Sequence, residues 1–203
     1  MILAIDSASA ACTAALLTLD GELIAERHED IGRGHAERLM PMVAELLGQR
    51  IPTRILVGVG PGSFTGLRVA IAAAHGMAIG WAVPLSGFDS LALVAASAPG
   101  SAPLGVAMLG GHGDWFVAQY ERPGFTLLDP IASRTPDEAA RLITAPLVVG
   151  SAAAELVARR GYGEALSILP HAARALDLPL SLRSLDPRPV YARDPDARPA
   201  VAA

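Results

Sequence analysis

The chain has 203 residues, 52% of them hydrophobic, and its 16 basic and 20 acidic residues give a net charge of −4. This composition excludes disorder of the whole chain, because disordered chains are poor in apolar residues and rich in charge. All the basic residues are arginines scattered over both halves, which argues against a module that binds nucleic acid by itself. The length allows one large domain or two small lobes.

Cys12 is the only cysteine, which excludes an internal disulfide and a thiolate metal cluster. No signal peptide is predicted, since no basic residue precedes the first apolar run and Asp6 interrupts it. The apolar stretch from Gly66 to Leu85 contains Arg68 and His75, which are costly in a membrane span, so it predicts a buried helix followed by a strand. We expect a soluble cytoplasmic protein without membrane contacts.

The first half of the chain predicts alternating strands and helices. Strands are predicted at 2–6, 11–19, 22–31, 54–59 and 82–87, and helices at 34–48, 67–80 and 88–97. Asp20-Gly21 predicts the hairpin turn between the second and third strands, and Pro41 predicts a kink in the first helix. The order β-β-β-α-β-α-β-α over 1–100 indicates a lobe with a mixed sheet and helices packed on it.

A linker rich in Pro, Gly and Ser, residues 98–103, separates this lobe from a second one. There we predict two paired strands (LGVAML and WFVAQYE), helices at 136–143 and 151–160, and a strand at 147–150. The second, smaller lobe is predicted over 101–185, and the two halves could be divergent copies of one topology. Residues 186–203 have no periodicity and predict a loosely held tail.

The loop Gly60-Pro61-Gly62-Ser63-Phe64-Thr65-Gly66 has two interpretations. A glycine-rich loop before a helix N-terminus could hold phosphate, although the P-loop Lys and the nucleophile-elbow pattern are both missing. The alternative, which the spacing alone favours, is a tight turn with Ser63 or Thr65 capping the helix. The candidate cofactor-binding residues of this loop are Gly60, Gly62, Ser63 and Thr65.

Asp6 ends the first strand, where acidic side chains commonly face a crevice, and is a further candidate cofactor-binding residue. Equally, it could accept amide hydrogen bonds within its own turn. His35 could act as a general base or ligand, or could simply pack or hydrogen-bond before its helix, whereas His75 has no second ligand within one helical turn and His112 lies among glycines. None of these histidines predicts a metal site or a catalytic pair.

The two helices at 34–48 and 67–80 are predicted to form a partner interface. Gly66, Ala70, Ala74 and Ala78 recur every four residues, and small residues at that spacing let another helix approach closely. The alternative is that all these side chains pack inside the lobe. The predicted interface residues are His35, Leu39, Met42, Leu46, Arg68, Ala70, Ile71, Ala74, His75 and Ala78.

Three segments resemble the TsaB (YeaZ) family in order and spacing, and they cover most of residues 1–97. They are MILAIDSASAACTAALL, GHAERLMPMVAELL and VGVGPGSFTGLRVAIAAAHGMAIGWAVPLSGFDSLALVA, in which GPGSFTGLR is the most specific run. Pro189-Val190-Tyr191-Ala192-Arg193 is similar to a motif near the family's C-terminus. The resemblance implies an α/β fold of the ASKHA (actin-like, ribonuclease-H-like) class, with two lobes of mixed sheets flanked by helices.

The resemblance also implies a subunit of the bacterial machinery that makes N6-threonylcarbamoyladenosine in tRNAs reading codons that start with A. In that family the paralogue TsaD performs catalysis, TsaB binds and activates it, and the ATPase TsaE is a further partner. We therefore expect a direct heterodimer with TsaD, TsaE in the complex, and tRNA contact only through the complex. The isolated chain is expected to form a homodimer at most and to hold no metal or cofactor, with ATP or ADP restricted to the partner interface.

The resemblance to the paralogue allows one comparison by position. TsaD proteins carry a His-x-x-x-His metal pair, and counting from Pro84 its two positions fall at Ser90 and Val94 in this chain. Because neither residue can replace an imidazole, the chain is expected to lack transfer activity. In addition, Leu109-Gly110-Gly111 stands where the family usually has Asp-Ala-Arg, so whatever that triplet contributes near the interlobe cleft is not carried over.

The alternative function is that of an autonomous enzyme, either a glycoprotease-like peptidase or a phosphotransferase. A peptidase needs a nucleophile–base pair or a metal, and a kinase needs acidic magnesium ligands and a phosphate loop in each lobe. The sequence shows neither set. A homodimer with an unrelated structural role would use the same small-residue helix. Recovery of TsaD from a lysate would decide between these classes.

Overall fold

The computed structural model describes residues 1–192, which form two five-stranded sheets. The first sheet contains β1 (Ile2–Asp6), β2 (Ala11–Leu17), β3 (Leu23–Asp30), β4 (Arg54–Gly60) and β5 (Leu85–Asp89). Its strand order is β3-β2-β1-β4-β5; the meander β1-β2-β3 is antiparallel, whereas β4 and β5 are parallel to β1. β1 and β2 are buried along their whole length, as expected for strands covered on both faces.

Two helices cover one face of this sheet and a third covers the other. They are α1 (His35–Leu47), α2 (Phe64–Trp81) and α3 (Ser90–Ser97). α1 continues through Pro41, and its apolar residues at helical spacing pack with those of α2 on the sheet. α3 is apolar on every side and has seven of its eight residues buried, because it lies between the two sheets.

The second sheet repeats the topology of the first. It contains β6 (Leu104–Leu109), β7 (Trp115–Glu121), β8 (Thr126–Arg134), β9 (Leu147–Val149) and β10 (Glu164–Leu166). Its order, β8-β7-β6-β9-β10, has the same pattern of antiparallel and parallel neighbours, and α4 (Pro136–Leu142) and α5 (Ala153–Arg160) cover its outer face. This duplicated α/β architecture confirms the predicted two-lobed ASKHA fold, whereas β8 and β10 were absent from the sequence prediction.

The end of the described chain returns to the first lobe, which corrects two predicted boundaries. A 3-10 turn at Ala172–Asp177 packs on α3 and β2, and the short α6 (Leu180–Arg183) follows. Leu185 exchanges backbone hydrogen bonds with Gly87, and the Val190 N–H donates to the Val59 carbonyl at 2.8 Å. The second sheet therefore ends with β10 at Leu166, and the chain from Ala172 onward packs on the first lobe rather than belonging to the second. Residues 186–192 follow the pairing of Leu185 with β5 and are joined to β4 through Val190, so they are not loosely held. The rest of the predicted tail, 193–203, including Arg193 of the C-terminal motif, lies outside the described residues.

Among the helices of residues 1–192, none combines the length and the apolar character needed to cross a membrane.

Candidate functional site

The loop between β4 and α2 packs directly on the turn that follows β1. The Ser63 N–H donates to the Ala8 carbonyl at 2.7 Å, and the Ser7 hydroxyl donates to the Gly66 carbonyl at 2.8 Å. A Cβ atom at Gly66 would overlap the Ser7 carbonyl oxygen, and one at Gly62 would overlap that of Ala8. These two glycines are therefore required by contact between backbones, as the tight-turn interpretation of the loop expects.

The other candidate residues of the loop, Gly60, Ser63 and Thr65, lie at or just before the start of α2. Gly60 has φ +99°, in the left-handed region, and its N–H donates to the Ser90 hydroxyl at 3.1 Å. The Ser63 hydroxyl accepts from the Gly66 N–H at 3.2 Å, which makes Ser63 the N-cap. Thr65 is exposed in the first turn of the helix.

Asp6 is completely buried beneath this loop and is corrected as a candidate for direct ligand contact. One carboxylate oxygen accepts from the Ala8 N–H at 2.9 Å, and the other accepts from the Ser90 hydroxyl at 2.7 Å. Burial raises the pKa of this carboxyl above its ordinary value, although both hydrogen bonds act in the opposite direction. Asp6 thus joins β1, the turn and α3, as the Asx-turn interpretation expects.

A cavity of about 870 Å³ opens beside the loop and lies between the two lobes. The first lobe contributes the turn after β1 and the start of α2, and the second lobe contributes residues 109–112 and Phe116. Residues 190–192 close one side. Its main lining residues are Ala8, Ser9, Gly62, Ser63, Phe64, Thr65, Arg68, Leu109, Gly110, Gly111, His112, Phe116, Val190 and Tyr191. Ser63 and Thr65 are therefore brought to the cavity, whereas Asp6 and Gly60 are not among the residues that line it.

Arg68 forms the cationic part of this cavity together with two aromatic rings. Its guanidinium carbon lies 3.3 Å from the centroid of the Phe64 ring and 5.7 Å from that of Tyr191. Phe64 and Tyr191 remain 57% and 47% exposed, so this cation–π cluster faces solvent. The sequence predicted no contact between the two rings, because they belong to different motifs that lie 127 positions apart along the chain.

Most of the predicted interface residues instead lie in the core of the first lobe. The buried ones are His35, Leu39, Met42, Leu46, Ala70, Ile71 and Ala74, whereas Ala78 is half-buried and Arg68 and His75 are exposed. The strip of small residues at four-residue intervals faces the sheet, where it lets α2 approach β4 and α1 closely. The prediction that these seven side chains lie at a surface is therefore corrected in favour of packing inside the lobe.

The same two helices expose a different apolar face, which we call the α1–α2 outer surface. Its apolar residues are Met40, Pro41, Ala44, Ala72, Gly76 and Ile79, and the polar residues Glu37, Arg68 and His75 are exposed on the same two helices. Ile79 is 80% exposed and Met40 is 45% exposed, and a Cβ atom at Gly76 would meet no atom within 4 Å. α1 and α2 contact each other and pack on the same face of the sheet, so these outward residues lie on one side of the lobe.

The other residues considered in the sequence have structural partners. The His35 ring lies 3.3 Å from the Ala11 carbonyl through Nε2, and the His75 ring lies 3.1 Å from the Pro187 carbonyl. His112 lines the cavity. Cys12 is fully buried, and desolvation raises the pKa of its thiol to about 11, so the thiol stays protonated and unreactive at neutral pH.

A cluster that the sequence did not predict lies at the edge of the first sheet. Glu26 and His28 of β3 meet His171, whose Nδ1 lies 3.1 Å from Glu26 Oε1. The two imidazole rings stack with centroids 3.8 Å apart and planes 7° apart. Burial and the neighbouring His171 lower the pKa of His28. The alternation of Glu26 and His28 on one strand face was a readable signal, but the third residue is 143 positions away.

Comparisons with known proteins agree with this architecture. The family described as "TsaD: tRNA N6-adenosine threonylcarbamoyltransferase" matches residues 24–184. The tRNA threonylcarbamoyladenosine biosynthesis protein TsaB of Escherichia coli is 36% identical over 60% of this chain and 55% of its own length. The tRNA N6-adenosine threonylcarbamoyltransferase of Anaeromyxobacter dehalogenans is 29% identical over 75% of this chain and 50% of its own length.

The solved structure of YeaZ from Pseudomonas aeruginosa superposes with a TM-score of 0.78 at 28% identity, covering 94% of this chain and 98% of that one. The likeness therefore extends over both sheets. By sequence, in contrast, the chain spans about half the length of the curated relatives described above.

Proposed function

This chain belongs to the family that the TsaD description covers, as a TsaB (YeaZ) member, and we propose that it takes part in threonylcarbamoyladenosine biosynthesis on tRNA. In this proposal it acts in the cytoplasm as a non-catalytic subunit that binds a TsaD protein and activates it. The names of its relatives support the pathway. The surface of the chain itself supports the subunit role.

The absence of catalysis by this chain is supported at the two positions where TsaD proteins carry their metal-binding pair. Ser90 is 3% exposed and donates its hydroxyl hydrogen bond to Asp6, and Val94 is 1% exposed in the core between the sheets. Both side chains therefore pack or hydrogen-bond in the interior and hold α3 in position. A chain built in this way needs its partner to supply the reacting centre.

The α1–α2 outer surface is the observation that carries the partner proposal. Exposed glycine inside a helix destabilises that helix by roughly 1 kcal/mol relative to alanine, and no atom of residues 1–192 lies within 4 Å of a Cβ built at Gly76. A large exposed side chain, Ile79, lies one turn further on the same face. Small residues beside an exposed isoleucine suit a helix of another protein that packs closely against α2. We propose that this helix belongs to TsaD.

The test uses the full chain and TsaD from the same organism, with binding measured by calorimetry. Ala72→Glu places a charge at the centre of the outer surface, and Ala154→Glu places the same charge on the exposed face of α5 as a matched control. A charge buried without a partner costs about 3–5 kcal/mol, so Ala72→Glu should weaken binding at least a hundredfold while the control binds normally. Equal affinity of both variants and the wild type would place the interface elsewhere.

The same complex provides the test of activation. TsaD with this chain should transfer the threonylcarbamoyl group faster than TsaD alone, and the chain without TsaD should transfer none. Transfer by the isolated chain would contradict the non-catalytic role. We propose that TsaE joins the complex and that tRNA binds only through it, as expected for a chain of net charge −4. Self-association, where it occurs, should use the outer surface and compete with TsaD.

We further propose that ATP or ADP contacts this chain only in the complex, at the interlobe cavity. A volume of about 870 Å³ is within the range of small-molecule sites, and Arg68 with the N-terminus of α2 offers the positive charge that phosphates need. Asp6 does not fit the role of a magnesium ligand, because it is buried with both oxygens engaged. Titration of ADP into the isolated chain, the complex and an Arg68→Ala complex tests this proposal.

A further inference from the structure

Three side chains of the types that can bind metal ions meet at the edge strand of the first sheet, on the face opposite α1 and α2. Glu26 and His28 are two positions apart on β3, so they share one face of the strand. Their partners on β2 are Ala15 and Thr13, which place them beside the 3-10 turn at Ala172–Asp177. His171 immediately precedes that turn. The cluster therefore joins β3 to residues 171–177.

Two backbone hydrogen bonds, from His171 and from the next residue, fix the position of His171. Its own N–H donates to the Ser97 hydroxyl at the end of α3, at 3.0 Å, and the next N–H, of Ala172, donates to the buried Thr13 hydroxyl at 3.0 Å. The position of His171 is thus set by residues other than the ones it meets, which is the preorganisation that a binding site requires.

The ring of His28 has an unused ligand atom. Its Nδ1 is buried, and no hydrogen-bond partner reaches it within residues 1–192. A buried imidazole nitrogen without a partner is uncommon, because desolvation of a polar atom is unfavourable unless something binds it. The His171 Nδ1 lies 3.1 Å from the Glu26 carboxylate, and a ring nitrogen of His28 lies within 4.8 Å of a ligand atom of each.

We propose that Glu26, His28 and His171 bind a divalent transition-metal ion of the zinc type, which ties residues 171–177 to β3 of the first lobe. One ligand atom from each residue lies within 4.8 Å of the others. Two ligands on tetrahedral zinc are about 3.4 Å apart for bonds of about 2.1 Å, so rotations of the side chains bring the three atoms to one ion. Glu26 and His171 then exchange their mutual hydrogen bond for bonds to the metal, and water takes the fourth position.

Two imidazoles and one carboxylate favour zinc over magnesium or calcium, which prefer oxygen ligands alone. The metal would hold together β3, the end of α3 and the segment at 171–177, three parts of the chain that meet at the boundary of the two lobes. This role is independent of TsaD binding, because the α1–α2 outer surface lies on the other face of the sheet.

The experiment is a calorimetric titration of ZnCl2 into the tag-free full chain after treatment with a chelator. We expect one zinc ion per chain with a Kd of about 10 µM or tighter. Zinc at a hundredfold excess over Kd should raise Tm by about 5 °C or more, whereas MgCl2 should leave Tm unchanged.

Two variants of partly exposed cluster residues, His171→Ala and Glu26→Gln, test the ligand set, and His75→Ala removes an exposed imidazole elsewhere as the matched control. Even the loss of a residue that only orients a ligand weakens metal binding roughly 10–100-fold, so each cluster variant should weaken zinc binding about a hundredfold or more. The control should bind like the wild type. Zinc binding weaker than about 100 µM in the wild type, or equal binding by His171→Ala and the wild type, overturns the proposal.

Discussion

The two lobes share one strand order and one pattern of strand directions, yet they present different helical layers to the outside. In the first lobe α1 and α2 have 13 and 18 residues, whereas in the second α4 and α5 have 7 and 8. The outer side of α4 and α5 is charged, and Arg159 pairs there with Asp137 at 2.8 Å and with Glu155 at 3.0 Å. The outer side of α1 and α2 is mixed, since Arg38 pairs with Glu45 at 2.8 Å there, but it also exposes Ile79 and Met40 beside small residues.

This difference separates what the topology determines from what the helices determine. Exposed ion pairs such as those of Arg159 keep a surface hydrated and add little to stability. Exposed apolar side chains and an exposed helical glycine are poorly hydrated, and they make few stabilising contacts within the described chain. The shared sheets therefore explain the fold, and the helical layer of the first lobe explains why we assign the partner to that side.

The largest expected effect separates the two faces of α2. Ala74 is fully buried against the sheet, so Ala74→Glu should lower the free energy of unfolding by about 3–5 kcal/mol or unfold the chain. Ala72→Glu, on the exposed face, should change it by less than about 0.5 kcal/mol. Urea denaturation of both variants measures the difference. Equal stabilities would mean that α2 is rotated relative to the sheet.

A second pair of substitutions tests how far the resemblance between the lobes extends. A Cβ atom at Gly66, in the first turn of α2, would overlap the Ser7 carbonyl, and one at Gly150, just before the equivalent helix α5, would overlap the Ala107 carbonyl, at a residue whose φ of +118° already disfavours a side chain. Because a backbone atom cannot move aside cheaply, Gly66→Ala and Gly150→Ala should each destabilise the chain by about 3 kcal/mol.

Gly111→Ala serves as the control for this pair, since a Cβ atom there would meet nothing within 4 Å. Thermal unfolding of the three variants is the measurement. A loss near zero at Gly150 together with a large loss at Gly66 would show that the two connections have different packing despite the common topology.

The sequence predicted the first lobe well because its signals are local. Continuous apolar runs mark β1, β2 and β4, and apolar residues at helical spacing mark α1. β8 was missed because Pro130 and its exposed, irregular residues hide a strand that follows the edge of the second sheet. The attachment of residues 186–192 was also missed, because its contacts use the backbone of that segment, at Val190 and Pro187, and leave no pattern in its side chains.

The candidate site shows the same limit at the level of single residues. The glycine loop and its cap at Ser63 were readable, since both depend on neighbours in the chain. The face of α2 was not, because a helix rich in alanine and glycine is apolar on all sides and its periodicity does not show which side meets the sheet. Tyr191 beside Phe64, and His171 beside His28, depend on contacts between distant parts of the chain.

The smallest expected effect is the most specific to the α1–α2 outer surface. Gly76→Ala adds one methyl group to an exposed helix position with open space around it, so it should stabilise the isolated chain by about 0.5–1 kcal/mol. The same methyl group would separate α2 from a closely packed partner helix, and affinity for TsaD should fall about tenfold. Ala154→Gly, at an exposed position of α5, is the reverse control and should destabilise the chain by a similar amount without changing that affinity.

Only Gly76→Ala should therefore raise stability while weakening TsaD binding. Thermal unfolding measures the first effect and calorimetry with TsaD the second, on both variants. If Gly76→Ala stabilised the chain and bound TsaD as tightly as the wild type does, the helices would not approach closely at this position. Its glycine would then have no role in the complex, and the difference between the outer faces of the two lobes would concern solubility rather than recognition.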